Sequence, residues 1–422
     1  MYWQLFLSFF VAVLFNFILP KTTSTYYRKL EWIFERCIVF LERHEKKLYD
    51  MEFESIWLET DAFKYFVNNL RKKGNGSSPL EKEELNIPVS IVATVEKSSR
   101  YVLRSDIAYD WNIKVHELSE YLNNTAEHSL YPFARRIDRY GFVKHRDQAT
   151  WEDSPFGKTT FDNIIRVREQ YIDGLQIKFT YTALAQFWHI RNALKYKKLR
   201  IVSDKDNALI SAIMRAFYDE IDNGCVHTFT CTIDKTLSKK EAYVGYLEGQ
   251  DTVNIYKNAM SCDYYDALIS IMKMRMKAKN AMYRIKNGLL DVGSGIEYPA
   301  PYKDEGRRIV TPRTDLTSLD EDHIAAMLCK VDNRAINTFF NQIRRRISIL
   351  ERPLVGARSG GKSYIYSNVN PKYAHYLVTI LRTYLNYCIP IRYGKNEDKM
   401  TPAMKIGIAK KIYTIKDILY IK

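Results

Sequence analysis

The sequence predicts an α/β protein built on a mixed sheet with flanking helices. Three strand-like runs come first and a strand–helix alternation follows, which is the order expected of an α/β sheet. The chain has 422 residues, of which 46% are hydrophobic, and this is enough for packed cores. We therefore expect a folded protein in which a largely helical insertion and a basic C-terminal helical tail are added to the sheet.

The N-terminal segment, residues 1–20, has no charged side chain. As a helix of about 30 Å it would be long enough to span a bilayer. It lacks the basic start and the small-residue cleavage site of a secretory signal. If it were inserted, Lys21, Arg28 and Lys29 would hold the remainder in the cytoplasm. An irregular start with no membrane role is the alternative, and both stay open.

A lead-in helix and three antiparallel strands are predicted next. Residues 24–52 carry apolar side chains at helical spacing and predict the helix. Residues 55–60 predict the first strand. After a Gly/Ser/Pro-rich turn at 74–79, VSIVATVE (89–96) and YVLRSDIAYDW (101–111) predict the second and third.

Strand–helix alternation follows this antiparallel group. Residues 175–180 predict a weak strand and residues 182–196 a helix. Leu199–Ser203 is a short apolar strand that leads into a helix at 207–221. Asp206 directly precedes that helix and is predicted to be its N-cap.

The domain organisation follows from these elements. Residues 53–237 form the first part of the core, and residues 238–330 a mainly helical insertion that ends in a Pro/Asp/Thr-rich linker at 301–322. Residues 331–395 contribute a further amphipathic helix and complete the core. Residues 396–422 form the basic tail.

Charge points to a polyanionic partner. The net charge is +15, and residues 331–422 hold 17 lysines and arginines against 5 aspartates and glutamates. Nucleic acid and an anionic membrane both fit such a basic end, and a merely solvated surface is the alternative.

The six cysteines include no CxxC pair, which argues against a zinc ribbon and a disulfide scaffold and for a reducing compartment. Cys225, His227 and Cys231 lie close in sequence. Their segment, CVHTFTCTI, alternates like a strand, so a structural role is favoured over a metal site.

Two aspartates are candidates for metal-dependent chemistry on phosphodiesters. Asp61 and Asp204 each follow an apolar run, at the predicted end of a strand. Carboxylates at rigid strand ends can hold two divalent cations about 4 Å apart, as phosphoryl transfer requires. Either residue alone is more commonly a solvated strand-end aspartate. Asp204 is preferred over Asp206, whose side chain is better used as the helix cap.

Five segments, taken in order, resemble insertion-sequence transposases of the DDE class, which have a ribonuclease-H-like core. They are LETDAFKYFV, VSIVATVEKSSRYVLRSDIAYDW, the long segment from FTYTALAQ to MRAFYDEI, NRAINTFFNQIRRRISILERP, and the tail TPAMKIGIAKKIYTIKDILYI. The resemblance covers roughly residues 50–420. It implies a ribonuclease-H-like mixed sheet and metal-dependent cleavage and transfer of the DNA ends of a mobile element. It also implies Mg²⁺ or Mn²⁺ as cofactor, with Asp61 and Asp204 as catalytic metal ligands.

The third acidic position departs from the family. Its members usually carry a glutamate there, and the alignment of NRAIN puts Asn337 in its place. An amide oxygen can ligate Mg²⁺ but brings no charge and cannot act as a base. Glu351 would lie about 21 Å further along a continuous helix, too far to replace it. The apolar arc of this helix is predicted to consist of Ile336, Phe339, Phe340, Ile343, Ile347 and Leu350.

The expected partners are element ends and target DNA, bound by a homo-oligomer in the cytoplasm at the nucleoid. Thr401 and Pro402 predict the start of a short basic helix that contains Lys405, Lys410 and Lys411. The predicted DNA-binding residues are Arg344, Arg345, Arg346, Arg352, Lys405, Lys410 and Lys411.

Two other functions compete with an active transposase. One is a catalytically inactive, DNA-binding remnant, which Asn337 would explain. The other is a membrane-anchored basic protein, with residues 1–20 in the bilayer and the tail at lipid headgroups. Family members typically carry an N-terminal zinc ribbon or helix-turn-helix for end recognition, and neither is legible before residue 50.

Overall fold

The structure is a computed structural model. It describes residues 23–67, 87–113, 139–140, 174–234, 236–278, 285–286, 289–290, 295–303, 305–350, 354–355, 362–363, 370–393, 396–397 and 399–421. The apolar segment 1–20, most of 110–170, Glu351 and Arg352 lie outside the described residues, and so do the predictions made for them. Within the described ranges, no helix combines the length and the apolar character needed to cross a bilayer.

Eleven helices and seventeen strands are assigned among the described residues. The helices are α1 Thr23–Glu45, α2 Phe179–Ala193, α3 Asn207–Ala216, α4 Tyr218–Asp222, α5 Lys239–Met260, α6 Tyr264–Ala278, α7 Glu321–Cys329, α8 Arg334–Arg346, α9 Pro371–Tyr387, α10 Pro402–Lys405 and α11 Ile415–Leu419. The strands are β1 Glu52–Phe53, β2 Ile56–Val67, β3 Ile87–Glu96, β4 Val102–Ile107, β5 Tyr109–Asp110, β6 Leu175–Gln176, β7 Lys195–Tyr196, β8 Leu199–Ser203, β9 Val226–Ile233, β10 Ile285–Lys286, β11 Leu289–Leu290, β12 Ile296–Glu297, β13 Arg308–Pro312, β14 Leu354–Val355, β15 Lys362–Ser363, β16 Arg392–Tyr393 and β17 Asn396–Glu397.

A seven-stranded mixed sheet forms the centre of the fold. Its strand order is β12-β13-β9-β8-β2-β3-β4. The pairs β2/β8 and β8/β9 are parallel, and the other four neighbouring pairs are antiparallel. The predicted α/β class is thus confirmed, with helices on both faces of the sheet.

The two faces of the sheet have different coverings. Ile56 and Leu58 of β2, with Leu199 and Ile201 of β8, pack against α1, α2, α3 and the C-terminal tail, and we call this side the α1 face. Alternate residues point the other way because successive side chains of a strand alternate. On that side, the α8 face, Phe63 and other apolar side chains of β2, β3 and β4 pack against α8.

The insertion extends this sheet. Phe229 of β9 and Val310 of β13 pack against Ile271 of α6 and Leu328 of α7 in one apolar cluster. Val202 of β8 belongs to the same cluster, so α6 and α7 cover the α8 face beyond α8 itself. The insertion is therefore part of the core rather than a separate helical unit.

The prediction of a linker at 301–322 is wrong at residues 308–312, which form β13. Arg308–Pro312 pairs with β9 along five residues and places the insertion in the main sheet. The strand was hidden because it begins with a cation and ends with a proline. Arg308 is only 1% exposed, since its guanidinium lies against the rings of Tyr298 and Tyr302 and pairs with Glu305.

Two smaller corrections concern the strand–helix region. Of the predicted strand at 175–180, Leu175–Gln176 forms β6 and Ile177 forms a single bridge with Tyr140, and α2 begins at Phe179. The predicted helix 207–221 is divided at Phe217, whose backbone leaves the helical conformation while its ring is fully buried. In both places the tertiary core decides the local structure.

The tail begins as predicted and then departs from the prediction. The Thr401 hydroxyl accepts a hydrogen bond from the Met404 N–H, and Pro402 is the first residue of α10. The helix ends at Lys405, because Gly407 has a φ of +96°. Lys410 and Lys411 therefore lie outside the short basic helix that was predicted to contain them.

The packing of α8 provides a stability prediction. The Phe340 ring is 2% exposed, and its centroid lies 5.7 Å from that of Phe63. We expect Phe340→Ala to lower the free energy of unfolding by about 3 to 5 kcal/mol, since it leaves a cavity between α8 and β2. Urea unfolding measures this. Phe340→Leu is the control and should cost less; an equal cost for both substitutions would contradict the cavity explanation.

Candidate functional site

Asp61 and Asp204 lie on neighbouring parallel strands. The last paired residues of β2 and β8 are Thr60 and Ser203. Asp61 directly follows Thr60, and Asp204 directly follows Ser203. Adjacent strands are about 4.8 Å apart. Asp61 pairs with Ala93 of β3, which is buried in the cluster under α8, so Asp61 lies on the α8 face. The two aspartates thus come together at one edge of the β2/β8 pair.

The structure differs from the prediction for Asp61 in one respect. The predicted strand stopped at residue 60, whereas β2 continues to Val67 through its pairing with β3. Asp61 is therefore inside a strand, at the point where its partner β8 ends. Asp204 directly follows β8, as predicted.

The backbone holds both carboxylates. Asp61 Oδ1 accepts a hydrogen bond of 2.6 Å from the Ala62 N–H, and Asp204 Oδ1 accepts one of 2.7 Å from the Lys205 N–H. Both aspartates are half-buried. Asp206 has a different role, because its carboxylate accepts from the Ala208 and Leu209 N–H groups and caps α3. The prediction that Asp206 is the N-cap of α3 is therefore confirmed. The role of Asp204 as a metal ligand stays a prediction.

Helix α8 runs along β2 past Asp61. At its start, the N–H groups of Ala335 and Ile336 donate to Glu59 Oε2 at 2.7 and 3.1 Å. Further along the helix, the guanidinium carbon Cζ of Arg344 lies 4.9 Å from the ring centroid of Phe63. Asn337 lies between these two contacts. Asn337 is half-buried, and its side chain forms no hydrogen bond with the part of the chain that the structure describes.

The predicted apolar arc of α8 is confirmed. All six of its residues are buried: Ile336, Phe339, Phe340, Ile343, Ile347 and Leu350. The helix itself ends at Arg346, and a short 3-10 turn, Ser348–Leu350, follows. The premise of a continuous helix reaching to Glu351 is therefore wrong.

A buried charge cluster adjoins the aspartates, and the sequence analysis missed it. Glu59 is completely buried, and its Oε1 lies 3.3 Å from Lys97 Nζ. Lys97 Nζ also lies 2.8 Å from Asp332 Oδ1 and donates to the Lys330 carbonyl at 2.7 Å. The sequence does contain an indication of this cluster. Glu59 lies an even number of residues from Trp57 and Phe63, so alternation along the strand places this glutamate on the same inward face as two aromatic residues.

Burial governs the protonation of this cluster. It raises the pKa of Glu59 to about 8, against the opposing effect of the Lys97 ammonium. Burial also acts to raise the pKa of Asp332, but the ion pair with Lys97 outweighs it and holds that pKa below its ordinary value. Burial and the nearby Asp332 carboxylate thus oppose ionisation of Glu59, while the Lys97 ammonium favours the ionised form of both acids.

The predicted DNA-binding residues are not brought to one place. Arg344 is stacked over Phe63, Arg346 donates to Gln342 Oε1, and Arg345 is exposed. The tail packs on the α1 face, so Lys405, Lys410 and Lys411 are separated from the aspartates by the sheet.

The described residues contain no cluster of three or more His, Cys, Asp or Glu side chains suited to a metal ion. The strand predicted for the segment with Cys225, His227 and Cys231 is confirmed, since Val226–Ile233 is β9. All six cysteines are free thiols. What remains is a pair of carboxylates with a nearby amide, and Mg²⁺ is commonly held by one or two carboxylates together with substrate phosphates. The oxygen donors present therefore fit this ion.

No protein-family model matches the chain, and neither the curated proteins nor the solved structures contain a match. The function is accordingly inferred from the sheet, the site and the charge of the chain.

Proposed function

We propose that this protein is transposase-like and carries out metal-dependent DNA strand cleavage and strand transfer on a ribonuclease-H-like core. The observation that carries the proposal is the position of Asp61 and Asp204. They follow the last residue pair of two neighbouring parallel strands, beside a helix that carries a third oxygen donor. Phosphoryl transfer requires oxygen ligands fixed on rigid elements in this way.

The sheet supports the fold part of the proposal. Three antiparallel strands, β4, β3 and β2, continue into the parallel strands β8 and β9. Helix α2 precedes β8, and helices α3 and α4 connect β8 to β9. This arrangement has the strands-first, strand–helix-later order predicted for the α/β class, with the insertion following β9, and it is compatible with the ribonuclease-H-like core that the resemblance to transposases implies.

Each residue of the site has a distinct role. Asp61 and Asp204 provide the two negative charges that bind divalent cations, and their backbone hydrogen bonds hold one oxygen of each carboxylate in place. Asn337 can contribute a neutral oxygen but no charge and no base. When bound, Mg²⁺ or Mn²⁺ would activate a water or a 3′-hydroxyl for in-line attack on a phosphodiester.

DNA is the proposed partner because the chain is strongly basic. Lys205 directly follows Asp204 and is exposed, and Arg345 is exposed near the end of α8. Lys205 can neutralise phosphates beside the aspartates, and Arg345 can do so on the outer side of α8. Lys410 and Lys411 are exposed on the opposite side and would contact a different part of the nucleic acid. Cleavage and joining of two element ends would require a homo-oligomer assembled on the DNA.

One observation favours an alternative, an inactive DNA-binding protein. Asn337 occupies the position where a third carboxylate would strengthen metal binding, so the proposed site has one negative charge fewer than the sites of the transposases that the sequence resembles. Such a protein would retain salt-sensitive DNA binding without cleavage.

The experiment that tests the proposal is a nicking assay on supercoiled plasmid. We expect nicking with Mg²⁺ or Mn²⁺ and none with EDTA, together with DNA binding that weakens as salt is raised. Binding without nicking in either metal would select the inactive alternative. Absence of DNA binding at low salt would reject both.

A further inference from the structure

We propose that Glu59 is a positioning residue of this site, which fastens the start of helix α8 to strand β2 and thereby holds Asn337 beside Asp61. The inference rests on the proposed function, because it concerns the same metal site. It assigns a role to a buried cluster that has no part in the chemistry just described. Its basis is a set of contacts between segments far apart in the chain.

The first contact caps the helix. The first N–H groups of a helix have no partner inside it. In α8 they are not satisfied by the N-cap, since the Asn333 side chain makes no capping hydrogen bond. Glu59 Oε2 accepts from Ala335 and Ile336 instead, across 276 and 277 residues of sequence. A strand residue thus replaces the local cap and fixes where the helix begins.

The second contact ties the preceding loop to the sheet. Lys97 follows β3, and its ammonium lies between Glu59 and Asp332 while donating to the Lys330 carbonyl. Asp332 in turn accepts from the Arg334 N–H at 3.2 Å. The residues that lead into α8 are therefore held from two sides, by β2 and by the end of β3.

Glu59 itself cannot serve as the missing third carboxylate. It lies on the same strand and face as Asp61, two residues away, or roughly 7 Å along the strand. However, Oε2 is used by two N–H groups and Oε1 faces Lys97. Glu59 is close to the proposed metal site, but its carboxylate points into the core. We therefore assign it a supporting role and not the role of a metal ligand.

Displacement of α8 would act on the site through Asn337. Asn337 directly follows Ile336 and is two positions after Ala335, so any loosening of the first turn moves its amide directly. Residues that orient metal ligands typically change metal affinity by about 10- to 100-fold when mutated. The aspartates would be unaffected, because the backbone of their own strands holds them.

The test compares two substitutions at position 59. Glu59→Gln keeps an oxygen that can accept from the Ala335 and Ile336 N–H groups, whereas Glu59→Met has similar size and only a weakly accepting thioether sulfur. Phe187→Leu, at a fully buried side chain on the α1 face, is the control for a general loss of stability. The readouts are amide hydrogen exchange of residues 334–338 and Mn²⁺ affinity of the full chain.

In Glu59→Met we expect exchange of the first turn of α8 to rise at least about tenfold and Mn²⁺ affinity to fall by about tenfold. Glu59→Gln should stay close to the wild type in both. Phe187→Leu should change neither. If Glu59→Met does not fold, Lys97→Met removes the second contact and should produce a weaker form of the same two effects.

The outcomes separate this inference from the proposed function. A wild-type protein that binds no Mn²⁺ and cuts no DNA rejects the proposed function, and the role of Glu59 with it. Metal binding that survives Glu59→Met unchanged, or an equal loss in Phe187→Leu, rejects the inference alone. Unchanged exchange of the Ala335 and Ile336 amides in both Glu59→Met and Lys97→Met also rejects it.

Discussion

Replacement of either Asp204 or Asp61 by asparagine should reduce Mg²⁺-dependent nicking by at least about a hundredfold. Each substitution preserves the shape of the side chain and removes one of the two charges available to bind the cations. The backbone hydrogen bond to Oδ1 can persist in asparagine, so the fold should be unchanged. Initial rates of plasmid nicking at saturating Mg²⁺ measure the effect, with circular dichroism as the check on folding.

Asp206 is the matched control for this substitution. It is an aspartate two residues from Asp204 whose carboxylate is committed to the N–H groups at the start of α3. Asparagine is as good an N-cap as aspartate, so Asp206→Asn should retain both stability and nicking. If Asp204→Asn retained nicking, or if Asp206→Asn lost it equally, Asp204 would have no place in the mechanism.

Introduction of a carboxylate at position 337 should have the opposite effect. We expect Asn337→Glu to raise the nicking rate at limiting Mg²⁺ by about tenfold, since a third charged oxygen ligand strengthens cation binding. Asn337 lies on α8 between the contacts with Glu59 and Phe63, the residues two positions before and two after Asp61 on β2, so we expect the new carboxylate to reach the same ions. The measurement is the nicking rate as a function of Mg²⁺ concentration.

The control for that substitution lies one turn further along the same polar stripe. Asn341 is exposed, and Asn341→Glu adds the same charge farther from the aspartates, so no gain is expected. A gain in both variants would indicate a general charge effect. A loss of activity in Asn337→Glu would show that the site works with the amide and would contradict the idea of a weakened third ligand.

Local pattern predicted the parts of the fold that local physics determines. The strand Leu199–Ser203 was predicted with its observed bounds, because its mostly apolar residues are bracketed by Lys198 and Asp204. The Asp206 cap and the buried arc of α8 followed from side-chain chemistry and helical spacing. The neighbouring positions of Asp61 and Asp204 match what parallel strands impose on residues that follow them.

Contacts between distant segments could not be predicted in this way. The Glu59 cap of α8 depends on residues in two elements that are separated by most of the chain. The strand character of Arg308–Pro312 depends on pairing with β9 and on two tyrosine rings that shield its arginine. Likewise, the position of the lysine-rich tail on the α1 face follows from its packing with α1 and not from its charge.

The pairing of β13 with β9 also limits how the chain can be shortened. Removal of residues 238–330 would leave β9 with a row of unpaired backbone N–H and C=O groups along the side that β13 now covers. Open strand edges of this kind recruit strands from other molecules. A truncated protein without the insertion would therefore be expected to self-associate and precipitate rather than to remain a monomeric minimal core.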